Sequence, residues 1–161
     1  LKNIVGGIKE DLNENGIRQA EKVREEIANL NIDLIICSPA DRTKHTCNII
    51  NKKNVPVIFD ERLIERDVGI YENKDWKNID KKEFWNYYST TYTGLETMKN
   101  VYKRVAECLD EVKEKYKDKT ILLVTHGGTL RAIYWYFKGI PKDGNVGYDM
   151  HSNCEIKEYE W

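Results

Sequence analysis

Apolar residues Ile17, Ala20, Val23, Ile27 and Leu30 recur every three or four positions after Asn13, the stripe of an amphipathic helix with an asparagine cap. The apolar run Leu34-Ile35-Ile36-Cys37 reads as a strand. Ser38-Pro39 follows it as an N-cap serine with proline in the first helical position, which predicts a second helix from there to Ile50. Val55 to Phe59 reads as another extended segment, near a sheet edge because Pro56 cannot donate to a ladder. Between Leu63 and Gly94 polar and aromatic residues mix, with a short helix around 81–88, as in a lid. A long helix is predicted over 98–116, where Val101, Val105, Cys108, Leu109 and Val112 share a face. Residues 120–125 are nearly all apolar, as in a strand buried on both faces of a parallel sheet, and the run ends at His126. Gly127-Gly128 turns the chain into a last helix, and residues 153–161 alternate loosely like an edge strand.

Helix alternating with strand predicts a single α/β domain over 1–161, a three-layer α/β/α sandwich around a mainly parallel sheet. Ligands in such sheets bind beyond the carboxyl ends of the strands. A chain of 161 residues is long enough to bury a core without staples.

Charge narrows the partners. Lys and Arg total 26 against 27 for Asp and Glu, so the net charge of -1 offers no general attraction to nucleic acid. The apolar runs are too short for a membrane span and no leader pattern opens the sequence, which leads us to expect a soluble cytoplasmic protein. Cys37, Cys47, Cys108 and Cys154 are scattered, without the spacing of a zinc site, and read as reduced thiols.

Two strand ends deliver polar residues to the ligand edge: Ser38 to Arg42 after the first apolar strand, and His126-Gly127-Gly128 after the last. Arg42, one turn into a helix, can grip a phosphate with its fork, or simply be solvated. His126 sits where glycines let backbone approach a ligand, although a core histidine satisfied by a carbonyl has the same pattern. Glu65 is by composition one acidic loop residue among many.

Five ordered segments carry a resemblance. They are Leu12 to Ala20; Cys37-Ser38-Pro39-Ala40-Asp41-Arg42 with Thr46; Leu63-Ile64-Glu65 with Gly69; Gly94-Leu95-Glu96-Thr97; and Val124-Thr125-His126-Gly127-Gly128-Thr129-Leu130-Arg131. In this order they are similar to the motifs of the histidine phosphatase superfamily, also called phosphoglycerate mutase-like. The resemblance implies that Arg42 binds the phosphoryl group, that His126 stabilises its transition-state charge, and that Glu65 gives a proton to the leaving oxygen. It places Gly6 and Gly127 beside the substrate and implies neither metal nor cofactor.

The same resemblance implies a first, central strand ending in Arg-His-Gly, whose histidine becomes phosphorylated. The sequence opens at Leu1, just downstream of that motif, and His45 and His151 do not stand at strand ends. We therefore expect an N-terminally incomplete domain that is inactive without the added histidine. The expected activity of the intact protein is hydrolysis of a small phosphate monoester through a phosphohistidine. A mutase-type phosphoryl transfer and a non-catalytic phosphate-binding module are the alternatives, and oligomeric state is left open. Trp76, Trp85, Tyr87 and Tyr88 suit either a ring-bearing leaving group or the packing of the lid.

Overall fold

The computed structural model describes residues 5, 11–89, 91–147 and 152–161. Helix α1 (Glu14–Glu26) opens with the Asn13 side chain accepting from the Gly16 amide, as its sequence predicts. It stops earlier than the apolar stripe, so Leu30 lies beyond it and is exposed. Strand β1 (Leu34–Cys37) is fully buried and leads to α2 (Asp41–Ile50). Strand β2 (Val57–Phe59) lies at the edge that Pro56 predicts. Three short 3₁₀ turns and the one-turn helix α3 (Lys81–Phe84) carry the chain to α4 (Met98–Lys115), strand β3 (Ile121–Val124) and α5 (Gly127–Lys138).

The described strands form a parallel sheet in the order β2-β1-β3. Leu34 pairs with Ile121 and Cys37 with Val124, so alternate side chains of the two strands share each face. Ile35, Cys37 and Val124 pack with Ala20 and Val23 of α1 and Cys47 and Ile50 of α2. On the other face Leu34 and Ile36 meet Leu63 and the α4 residues Cys108 and Val112. Met98, Val101 and Val105 of α4 are buried against Ala132 and Ile133 of α5. Three layers result, as the alternation of elements predicts.

Two expectations fail. The first three residues of β3 are only half-buried, because among the described residues no strand pairs with its outer edge. Residues 152–161 form no strand; Tyr159 instead lies flat on Phe137 of α5, with ring centres 4.6 Å apart and planes at 8°. Aromatic packing on a helix has taken the place of ladder pairing there.

The lid closes around Phe84, which is buried with Val5, Val68 and Ile79. Its ring meets Tyr71, Trp76, Trp85 and Tyr92 edge-on at 5.2–6.1 Å. Trp76 and Trp85 therefore serve packing, Tyr87 leans on Tyr102, and Tyr88 is exposed. The two ends of the lid cross at Gly69, whose φ is +50° and where a Cβ would stand 1.7 Å from the Gly94 carbonyl oxygen. Only glycine allows that approach. No described helix is long and apolar enough to cross a membrane.

Candidate active site at the carboxyl ends of β1 and β3

Strands β1 and β3 run parallel and in register, so the residues that follow them leave the sheet side by side. Ser38 and His126 meet there: Ser38 Oγ is 2.7 Å from His126 Nε2. The hydroxyl predicted to cap α2 is thus committed to the site, and α2 begins three residues later behind Ala40 with no side-chain cap. Arg42, in the first turn of α2, donates from Nε to His126 Nδ1 at 3.1 Å. The two residues stand 84 apart in sequence and meet because β1 and β3 pair in parallel.

These bonds fix the tautomer. A guanidinium can only donate, so Nδ1 is the acceptor and the ring proton sits on Nε2, directed at Ser38 Oγ. Burial, reinforced by the charges of Arg42 and Arg104, pushes the His126 pKa down to about 3. The imidazole is neutral throughout the physiological range.

Glu65 reaches the same place from the loop after β2. Its carboxylate accepts the Gly128 amide at 3.0 and 3.2 Å and the Arg66 amide at 2.8 Å, so it caps the first turn of α5. Gly128 is required for this: a Cβ would come within 2.5 Å of Glu65 Oε1 and 3.3 Å of Arg66 Cβ. Gly127, by contrast, is exposed and has open space where its side chain would be, so the α5 amino terminus is accessible to an anion. Arg42, His126, Glu65 and Gly127 are therefore brought to one helix start, while Gly6 and His151 lie outside the described residues. His45 is on the α2 surface, 3.3 Å from an Asp11 carboxylate oxygen.

Residues 2–161 match the histidine phosphatase superfamily (branch 1). The chain belongs to this superfamily. It is 30% identical over 143 residues to phosphoserine phosphatase 1 of Hydrogenobacter thermophilus, covering 84% of this chain and 68% of that protein. It is also 30% identical to the probable phosphoglycerate mutase GpmB of Salmonella choleraesuis, over 99% of this chain and 78% of the relative. A mycobacterial glucosyl-3-phosphoglycerate phosphatase structure superposes with a TM-score of 0.79 at 21% identity, covering 94% of this chain and 81% of that one, which shows the shared fold.

Sequence reasoning gave no role to two arginines that flank this candidate site. Arg66, buried beside Glu65, lies over Phe84 at 4.6 Å and Trp85 at 5.2 Å and donates to the carbonyls of Glu96 and Phe84. Burial lowers its pKa to about 10, opposed by the charges of Glu96 and Glu65. Arg131 lies over the same Trp85 ring at 4.4 Å and donates to the Gly147 carbonyl. One tryptophan of the lid is thus held by arginines from the Glu65 loop and from α5. Trp85 standing 46 residues from Arg131 gives no sequence pattern that would reveal it.

A Gly128→Ala substitution should separate site from fold. Glu65 Oε1 is the end of a flexible side chain and can swing away, so Tm should stay within about 3 °C of the parent. In the protein that carries the nucleophilic histidine, the displaced carboxylate should lower kcat about tenfold to a hundredfold. Thermal melts beside steady-state kinetics check both halves.

Proposed function

We propose that the intact protein is a phosphatase that hydrolyses a small phosphate monoester through a phosphohistidine. The observation that carries the reading is the convergence of Arg42, His126 and Glu65 on the accessible start of α5. Phosphoryl transfer needs positioning and neutralisation of the equatorial oxygens more than it needs protein acid–base chemistry on phosphorus. In this reading the Arg42 guanidinium clamps two of those oxygens. A dianion beside His126 offsets the cations that keep its ring neutral and raises its proton affinity, so the ring donates to the phosphoryl group as charge builds. Glu65 protonates the departing oxygen, and water then attacks the phosphohistidine with the same carboxylate as base.

The nucleophile enters, in this proposal, on a further strand along the outer edge of β3. That edge has no described partner, and the half-exposure of Ile121, Leu122 and Leu123 is what an uncovered neighbour position leaves. His45 does not fill the role, being held at the surface beside Asp11. Without that histidine the remaining residues bind phosphate but do not turn it over. Phosphoserine is the first natural ester to try, because a relative that shares 30% identity is named for it. We place the enzyme in the cytoplasm, where its four cysteines stay reduced.

The test is p-nitrophenyl phosphate hydrolysis by residues 1–161 and by the same chain extended at its amino terminus with the codons that precede Leu1. Turnover only in the extended protein, lost when the added histidine is changed, is the expected result. Phosphate binding without turnover in both forms would replace the enzyme reading with a binding module. Similarity to a probable mutase supports a second reading, phosphoryl transfer between two positions of one substrate. Release of inorganic phosphate from a phosphoglycerate, rather than its isomerisation, decides between them.

A further inference from the structure

The segment Gly94 to Thr97 has no part in the scheme above, yet Glu96 is tied into the loop that carries Glu65. Its amide donates to the Asp67 carbonyl at 2.8 Å, its own carbonyl accepts Arg66 Nε at 2.7 Å, and its carboxylate accepts the Asp67 amide at 3.4 Å. Both carboxylate oxygens are gripped by Arg104, through Nε at 2.8 Å and Nη2 at 3.0 Å. The third nitrogen of that guanidinium, Nη1, donates to the carbonyls of Arg62 at 2.6 Å and Ile64 at 2.8 Å. Arg104 projects from α4, which is anchored by six buried residues. Both members of the pair are mostly buried, with side chains 17% and 20% exposed, so the fork is little weakened by solvent.

We propose that Arg104, through Glu96, is the positioning residue that sets Glu65 as proton donor; this rests on the hydrolase reading given above. The geometry leaves the fork few alternatives. The carbonyls of Arg62 and Ile64, which lead into Glu65, end on one guanidinium, and Thr125 and Thr129 hydroxyls hold the carbonyls of Leu63 and Ile64 at 2.7 Å from the α5 side. The backbone of the loop is thereby fixed between α4 and α5, and Glu65 is the side chain it presents to the Gly128 amide. Arg104 itself touches no reacting atom. In the reaction, the ester P–O electron pair stays on the leaving oxygen, which takes the Glu65 proton, while the phosphoryl group bonds to the nucleophilic histidine nitrogen. A misplaced carboxyl costs most where the leaving oxygen most needs that proton.

That dependence supplies the test. In the protein carrying the nucleophilic histidine, Arg104→Met and Glu96→Gln are compared on an alkyl phosphate, phosphoserine, and on p-nitrophenyl phosphate, whose leaving group departs with little protonation. Arg104→Met should lower kcat for the alkyl ester about tenfold or more, with KM held within about twofold, and reduce the aryl ester rate far less. Glu96→Gln should shift the same ratio in the same direction. Hydrogen exchange at Gly128 reads the positioning without turnover: its amide should lose protection in Arg104→Met while Ala132 and Ile133 deeper in α5 keep theirs. Equal losses on both esters, or a Gly128 amide protected as in the parent, would overturn the proposal. If the parent hydrolyses neither ester the hydrolase reading fails, and the Gly128 amide alone then decides whether Arg104 positions Glu65.

Discussion

In the protein that carries the nucleophilic histidine, replacing Arg42 by alanine is expected to lower kcat/KM for phosphate-ester hydrolysis by about a thousandfold or more, equivalent to about 4 kcal/mol of transition-state stabilisation. The size follows from its place. Arg42 sits in the first turn of α2 with Nε oriented on His126 at 3.1 Å, beside the helix start where the anion is proposed to sit. Lysine should not restore the rate, because a point charge on a flexible stem reproduces neither the paired donors nor the bond to Nδ1. The same substitution removes one of the cations that disfavour protonation of His126, so the imidazole pKa should rise from about 3. Steady-state kinetics, inhibition by inorganic phosphate and an NMR titration of the ring check the three effects separately. An unchanged phosphate affinity in Arg42→Ala would remove this residue from the binding site.

The layers of this fold were legible in the sequence because their signals are local. Asn13 caps α1, the stripe of α4 packs inward, and Leu34 to Cys37 forms a buried strand, since propensity, capping and burial agree at each place. Ser38 shows where local reading gives way. As a cap it would satisfy one α2 amide; instead it lies 2.7 Å from His126 Nε2 and partners a buried ring whose tautomer Arg42 sets, so the tertiary contact prevails. The strand expected over residues 153–161 fails for a related reason. Alternation can describe a strand only where a ladder partner exists, and the tail residues Tyr159 and Trp161 find the aromatic surface of α5 instead. Glu96 stood out as part of a motif segment, but its pairing with Arg104 was invisible because an arginine inside a helix looks like ordinary surface charge until the loop carbonyls it holds are seen.

The motif glycines divide along the same line. Gly127 and Gly128 are adjacent and look equivalent in sequence, but one faces open space and the other lies beneath the Glu65 carboxylate. The first keeps the helix start accessible and the second lets the carboxylate cap it. Both act at the start of α5, where the Gly128 amide is capped by Glu65 and the space beside Gly127 stays open.

Because His126 is neutral when folded, the protein should lose stability on acidification well above the range in which carboxylates titrate. The unfolded imidazole takes up a proton near its ordinary value of 6.5, whereas the folded ring resists protonation until about 3. The unfolded chain therefore binds more protons throughout that interval, and stability falls as pH drops from about 6.5 toward 3, with full stability above 6.5. One group contributes at most about 1.4 kcal/mol per pH unit, which gives about 2 kcal/mol by pH 5 and an upper bound of about 5 kcal/mol across the whole interval. Asp60, held low by Arg62, adds its own loss only at the acid end of the range. Urea unfolding at pH 7 and pH 5 isolates the histidine, and in His126→Gln, where an amide oxygen can still accept from Arg42, the difference between the two pH values should shrink by about that 2 kcal/mol. A parent and variant that lose the same amount would mean that the ring gains its proton as readily folded as unfolded. Burial and the neighbouring cations could then not be what governs the proton affinity of this ring. The expected outcome ties acid sensitivity to the chemistry of the site: the burial that holds the imidazole neutral for an incoming anion is the burial that opposes its protonation in the absence of one.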